Sequence, residues 1–201
     1  MSIPRKVLVT ATNYSTLCAE SRALFEGNGW QVTENTFGRP MAFDELKEQV
    51  ADIDAVVAGV DTWNEAVFQL APKLKIISRF GVGVDNIDLE AARRLGIKVT
   101  NAPGKNANAV AELTIGLLLA TLRNIPSLHH DALASGKLRA AAIDVHEVEP
   151  VSADNPLFQL PNIVTTPHTA AETRETYRAV GLHTAQSILD EFEGTNPPPG
   201  L

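Results

Sequence analysis

The sequence predicts a doubly wound α/β fold built on a parallel sheet. Short β-branched runs alternate with stretches of helical periodicity, five times within about the first hundred residues. Runs such as AVVA at 55–58 and KIIS at 75–78 are apolar at consecutive positions, the pattern of strands covered on both faces. The chain's 201 residues, 44% of them apolar and 20% charged, can bury a proper core as one domain but are short for two complete ones.

Taken in order, VLVT at 7–10 reads as the first strand, 15–28 as a helix and 31–34 as the second strand. Residues 43–51 are helical, with Asp44 as the expected N-cap, and 55–58 form the third strand. A short helix at 64–71 leads to a strand at 75–79. A helix at 88–95, closed by Gly96, then leads to a strand at 97–100. The next helix, 108–124, should be capped at Asn108 and stopped by Pro126. Its Val110, Leu113, Leu117, Leu118 and Leu119 cover much of the circumference, so it needs burial on more than one side: in the core, on another domain or on a partner chain.

The last third is less regular. Residues 131–138 read as a short helical turn, 140–145 as a strand, 148–161 as a loop with three prolines, and 162–166 as another strand. Thr169-Ala-Ala-Glu172 has the capping-box pattern and should open a helix running to Glu193, ended by Gly194. The tail NPPPGL is expected to be disordered.

Charge and composition exclude several function classes. Seventeen Lys and Arg against 24 Asp and Glu, a net charge of -7, argue against a nucleic-acid partner, which needs clustered cations to displace phosphate counterions. A single cysteine, Cys18, can form neither an internal disulfide nor a thiolate metal site, so a reducing cytoplasm is the simplest compartment. The longest apolar stretch, 113–122, is too short to cross a bilayer, and the first residues lack the apolar core of a signal peptide. No membrane association is expected. No HExxH, DxDxDG, GxSxG or phosphate-loop pattern occurs, and no metal site is expected.

Three segments could carry chemistry. Gly81-Val82-Gly83-Val84-Asp85-Asn86 lies between a strand and a helix and begins like a dinucleotide fingerprint. Its third glycine is replaced by Asn86, its strand is the fourth rather than the first, and no acid stands at the next strand end, which rejects that reading. Two glycines there can still expose backbone amides to a carboxylate or a single phosphate, or simply serve a tight turn that needs positive φ. Glu149 and His168 each follow a strand; on adjacent parallel strands both would emerge at one sheet edge, as an imidazole oriented by a carboxylate for acid/base work. Alone, a Glu–His pair this far apart is more often an ordinary surface pair. The hydroxyl-rich loop Thr10-Ala-Thr12-Asn-Tyr-Ser15, with Trp63, could flank FMN as in an electron carrier, although the usual loop glycine is absent. His129 and His130 would point apart, and His146 and His183 have no evident partner.

The segments SRFGVGVDNIDLEAARRLGIKVTNAPGKNANAVAELTIGLLLATLRNIP and AAAIDVHEVEPVSADNPLFQLPNIVTTPHTAAETRE closely resemble D-isomer-specific 2-hydroxyacid dehydrogenases, in particular phosphoglycerate dehydrogenase-like members. The resemblance implies a flavodoxin-like substrate-binding domain of five parallel strands, order 2-1-3-4-5, formed by 1–104 and 172–201. It implies a long connecting helix in 105–130 and, in 131–171, a remnant of a Rossmann NAD domain. It implies that Val82 and Gly83 hold a substrate carboxylate through their amides, that His168 is the catalytic acid/base with Glu149 as its partner, and that Asp144 lies near the nicotinamide.

The departure from the family pattern is as informative. The glycine-rich turn, the acidic ribose ligand and the catalytic arginine that family members carry between these segments have no counterpart, as if about one domain's length were missing near 130–131. Without that turn there is no pyrophosphate site, and without the arginine a carboxylate loses its bidentate clamp. The chain is therefore expected to bind no cofactor by itself, NAD belonging to the intact family, and to bind small 2-hydroxy or 2-oxo carboxylates weakly at best. The alternative is an active NAD-dependent oxidoreductase whose cofactor site a partner supplies. Phosphoglycerate-specific members would place an arginine after the third strand; AVVAGVDTWN has Gly59 there, so a non-phosphorylated acid is as plausible. Strand edges and apolar faces left without neighbours predict a homodimer, with segment exchange one way to form it.

Overall fold

The computed structural model describes residues 4–122, 140–160, 162–194 and 200–201. The chain divides into two compact units, Met1–Lys105 with Arg174–Leu201, and Asn106–Thr173.

The first unit is built from β1 (Lys6–Val9), α1 (Tyr14–Leu17), α2 (Ala19–Gly27), β2 (Gln31–Glu34), α3 (Phe43–Gln49), β3 (Ala55–Ala58), α4 (Glu65–Gln69), β4 (Ile76–Arg79), α5 (Leu89–Arg94) and β5 (Lys98–Thr100). The strands form one parallel sheet ordered β2-β1-β3-β4-β5. Alternate residues point to opposite faces of a strand, which sorts the apolar runs into two layers. Leu8, Val56, Ala58, Ile77 and Val99 face one way, onto Leu46, Val67, Phe68, Ala91 and Ala92 of α3, α4 and α5. Val7, Val9, Ala55, Val57 and Ile76 face the other, onto Tyr14 and Phe25 and onto Ala185, Ile188 and Leu189. Those last three lie on α7 (Arg174–Glu193), so a helix that follows the second unit in sequence closes the first unit's second face. Burying Ile188 completely contributes roughly 1.5–3 kcal/mol.

Several local expectations are corrected. The helix expected over 15–28 is two helices, because Cys18 leaves helical geometry (φ -125°, ψ 35°); its thiol donates to the Tyr177 carbonyl of α7 at 3.2 Å. Asp44 does not cap α3: the N-cap is Ala42, whose amide donates to the Glu45 carboxylate at 2.7 Å. Gly96 closes α5 as expected, with φ +71° and the paired bonds Gly96 N–H to Arg93 O and Ile97 N–H to Ala92 O. Of the tail, 195–199 lie outside the described residues, and the Leu201 amide donates to the Val99 carbonyl of β5 at 2.9 Å.

The second unit contains α6 (Ala107–Leu122), β6 (Ala141–Ile143), a 3-10 turn (Pro156–Gln159) and β7 (Ile163–Thr165). β6 and β7 pair in parallel, Ala141 opposite Ile163 and Ile143 opposite Thr165, and both are shorter than the expected 140–145 and 162–166. α6 begins at Ala107, so Asn108 sits inside its first turn rather than capping it. The Pro126 stop, the 131–138 turn and His129 and His130 lie outside the described residues. Ile115, Leu118, Leu119 and Leu122 of α6 are between 53% and 65% exposed, although they recur at the spacing of a buried helix face. The capping box at Thr169 is not formed: α7 starts at Arg174, and the amides of Thr169 and Ala170 donate to the Asp144 carboxylate instead.

Candidate functional site

In the second unit, the parallel pairing that aligns Ile143 with Thr165 sends the following residues out at one strand end. The ladder runs one bond further, Thr166 N–H to Ile143 O at 3.0 Å, and the His168 amide then donates to the Asp144 carbonyl at 2.7 Å. His168 has φ +55°, a left-handed conformation uncommon for a residue with a Cβ. This backbone places His168 Nδ1 2.7 Å from Glu149 Oε2, while Glu149 Oε1 accepts from the His146 amide at 2.8 Å. A carboxylate only accepts, so in the neutral ring the bonding nitrogen carries the proton and Nε2 is the bare base. The His146 amide and then the His168 ring hold the Glu149 carboxyl below the usual range, so it stays ionised opposite the imidazole. The His168 side chain is 55% exposed, which leaves the imidazole open to small molecules.

Asp144 lies in the same cluster. Its Oδ1 accepts from Thr166 Oγ1 at 2.5 Å and from the Thr169 amide at 2.9 Å; its Oδ2 accepts from the Ala170 amide at 3.1 Å. Burial pushes its carboxyl up, but these three donors outweigh that and hold it below the ordinary value. Thr166, Thr169, Ala170 and the His146 amide were not read from the sequence as members of this site. The one available signal was Thr166-Pro-His168-Thr169, in which two hydroxyl residues flank the imidazole.

In the first unit, Val82 and Gly83 follow β4, and both are exposed. Their amides donate to no acceptor among the described residues. The loop is pinned by Asn101 Nδ2 donating to Val82 O at 2.7 Å, and by Asn86 Nδ2 donating to the carbonyls of Gly59 and Asp61 at 3.1 and 2.6 Å. A Cβ on Gly81 (φ +151°) would meet the Arg79 guanidinium at 2.8 Å. That glycine therefore makes room for Arg79, whose Nη1 donates to the Phe80 carbonyl. Burial lowers the Arg79 pKa against the opposing pull of Asp61 and Asp85, and burial raises that of the Asp61 carboxyl, whose Oδ1 accepts from the Met41 amide at 2.5 Å. Sequence reasoning missed Arg79 and Asp61. Arg79 ends a strand whose preceding residues, Ile76, Ile77 and Ser78, carry no charge, and that alone was the clue.

Neither a dinucleotide nor a flavin finds a fitting site among the described residues. The space under the double-glycine turn belongs to an arginine side chain, and the second unit's one described glycine, Gly116, lies within α6. Trp63, expected to flank FMN, is completely buried in the core, and Thr10 Oγ1 accepts from the Gly59 amide at 2.8 Å. Among the described residues no group of His, Cys, Asp and Glu could hold a metal ion, and no helix is long and apolar enough to cross a membrane.

Comparison with known proteins agrees with the fold. The family profile described as D-isomer specific 2-hydroxyacid dehydrogenase, catalytic domain, matches residues 7–200. A D-3-phosphoglycerate dehydrogenase of Archaeoglobus fulgidus is 28% identical over 288 residues, which takes in 83% of this chain and 54% of that one. A glyoxylate reductase of Pyrococcus furiosus is 43% identical over 113 residues, 52% of this chain and 33% of that one. The chain thus spans about half the length of the first of these relatives, and a third of the second is matched. The archaeal alignment is longer than the chain's own 201 residues. Since 83% of the chain is about 167 residues, on the order of 120 of the relative's positions, one domain's length, have no counterpart here. Among solved structures, the NAD+-bound 3-phosphoglycerate dehydrogenase of Entamoeba histolytica superposes with a TM-score of 0.73 at 20% identity, covering 96% of this chain and 97% of that one. A D-2-hydroxyisocaproate dehydrogenase gives 0.77 at 15% identity, covering 98% of each chain. At such identities these likenesses speak for the fold.

Proposed function

This chain belongs to the D-isomer-specific 2-hydroxyacid dehydrogenase family, and on that premise we propose that it is a substrate-binding and proton-transfer module that does not turn over by itself. The observation that carries the reading is the 2.7 Å pair of His168 Nδ1 and Glu149. A carboxylate that orients an imidazole and stabilises its cation is what a 2-oxo or 2-hydroxy acid needs to gain or lose a proton at its C2 oxygen. The ligand class follows from the amides of Val82 and Gly83, which meet no acceptor among the described residues, together with the half-buried cation of Arg79; both suit a small carboxylate. Lack of turnover follows from the misfit of a dinucleotide and the domain-length gap against the archaeal relative. Without a hydride donor in place, the proton held at His168 has no reaction to complete.

Weak binding is the expectation, because no bidentate arginine clamp is present among the described residues; a Kd near 1 mM corresponds to only about -4 kcal/mol. The test is a titration of the full chain with oxamate, followed through the amide resonances of Val82 and Gly83. Saturable shifts at these two residues are expected. Shifts confined to other residues, or none at tens of millimolar, would refute the ligand class.

The exposed apolar row of α6 also supports self-association, since Ile115, Leu118, Leu119 and Leu122 make a face with Glu112 as the helix's one charge. A homodimer is the assembly proposed, with segment exchange as one route to it.

A further inference from the structure

The turn that carries His168 is fastened by one side chain, Asp144. Its carbonyl accepts the His168 amide at 2.7 Å, and its carboxylate accepts the Thr166 hydroxyl and the amides of Thr169 and Ala170. These four bonds bracket the imidazole on both sides in sequence. Between them His168 takes the left-handed conformation, φ +55°, which an unconstrained histidine seldom adopts. We propose that Asp144 is a positioning residue for the acid/base imidazole: its carboxylate and carbonyl clamp residues 166–170 so that the left-handed His168 presents Nδ1 to Glu149. The proposal rests on the reading of His168 and Glu149 as the proton-transfer pair, and it gives Asp144 work that involves no cofactor.

The chemistry of the clamp is specific to a carboxylate. An ionised Asp offers about four acceptor sites and no donor, and three of them are taken here by one hydroxyl and two amides. An asparagine of the same shape offers one acceptor oxygen, so its NH2 group would have to face a backbone N–H or the Thr166 hydroxyl. Asp144→Asn should therefore release part of the turn, although it changes hardly any volume. Once released, His168 relaxes towards an ordinary backbone conformation and its ring leaves Glu149.

The test reads the ring directly. The full chain, labelled with 15N-histidine, is examined by long-range 1H–15N correlation at alkaline pH, where neutral imidazoles report which nitrogen carries the proton. Wild-type His168 should show the Nδ1–H form that donation to Glu149 requires, and Asp144→Asn should return it to the Nε2–H form of an unrestrained ring. Thr166→Val, which removes one of the three carboxylate bonds, should shift the ring part of the way, and Thr166→Ser should restore it. If Asp144→Asn loses the amide dispersion of Ala142 and Val164, the two Thr166 variants decide. A residue that merely added stability would lower a melting temperature without moving this signature. An Nδ1–H ring retained in a folded Asp144→Asn protein, or a Thr166→Val spectrum identical to wild type, would overturn the proposal. No substrate enters the measurement, so its failure leaves the oxamate test standing, and a failed oxamate test leaves this result standing.

Discussion

Gly181 lies in the middle of α7, where that helix crosses the start of α2, and replacing it with alanine sets two effects of known sign against each other. At an exposed helical site the change would stabilise the helix by about 1 kcal/mol, because glycine loses more backbone freedom on folding. Here the new Cβ would stand 2.7 Å from Ser21 Oγ, 2.9 Å from Cys18 Sγ and 3.0 Å from Cys18 Cβ. Ser21 and Cys18 are at most 2% exposed, so neither can turn outwards. A hydroxyl can rotate aside, but the Cys18 Cβ moves only with its backbone, and the helices must separate by some tenths of an ångström. Overpacking of this kind costs roughly 1–3 kcal/mol and also weakens the layer beneath, where Ile188 belongs to the same buried cluster as Val7, Val9 and Ile76. The balance is a net loss of up to about 2 kcal/mol.

The assay is urea unfolding followed by tryptophan fluorescence. Both tryptophans lie in the first unit, and Trp30 meets Phe192 of α7 edge-on at 4.9 Å between ring centres, so its emission reports the docking of that helix. With a slope of about 1–2 kcal/mol per M, the midpoint should fall by around 1 M. A midpoint that is unchanged or raised would mean that α7 does not pack on α2 through Gly181, and that the first unit is not completed by the segment after the second.

Three further outcomes follow from the same geometry. Ile188→Ala, at a fully buried position, should cost about 2–5 kcal/mol in the same urea experiment; a loss below 1 kcal/mol would contradict closure of the sheet by α7. The Asp144 and Glu149 carboxyls have lowered pKa values in the folded state, so their contribution is present above the ordinary carboxylate range, near pH 4, and is lost as pH falls through the lower folded values. Asp61 in the first unit is raised, so the folded state binds its proton more readily and its contribution grows on acidification. Acid should therefore disturb the Thr169 and Ala170 amide resonances, whose acceptor is Asp144, before the tryptophan signal, and the reverse order would refute the assignment. Light scattering should give about twice the chain mass of 21.6 kDa, reduced to one chain by Leu118→Glu with Leu119→Glu; a wild-type monomer would contradict self-association through α6.

Most of the first unit was legible because its strands are buried on both faces and say so in consecutive apolar residues, AVVA and KIIS above all. β2, an edge strand, was legible for the opposite reason, since QVTE alternates between more and less exposed positions. What could not be read were features decided by contacts distant in sequence. The break at Cys18 is bound up with the Tyr177 carbonyl, 159 positions away; the capping box at Thr169 is not formed, the Thr169 amide donating to Asp144 and the Glu172 amide to the Thr169 carbonyl. The juxtaposition of Glu149 and His168 depended on two strands pairing in parallel, which spacing could suggest but not establish. Arg79 was invisible as a site residue because an arginine at a strand end normally reaches solvent, whereas this one folds under Gly81.

The central claim is that the proton-transfer pair is kept while the dinucleotide site is not, and a fluorescence titration with NADH, completed by adding hydroxypyruvate, tests it most directly. A flat titration with no loss of NADH absorbance is the outcome the account predicts. Saturable NADH binding followed by oxidation would contradict it, since the chain would then hold a cofactor site that the described residues do not provide.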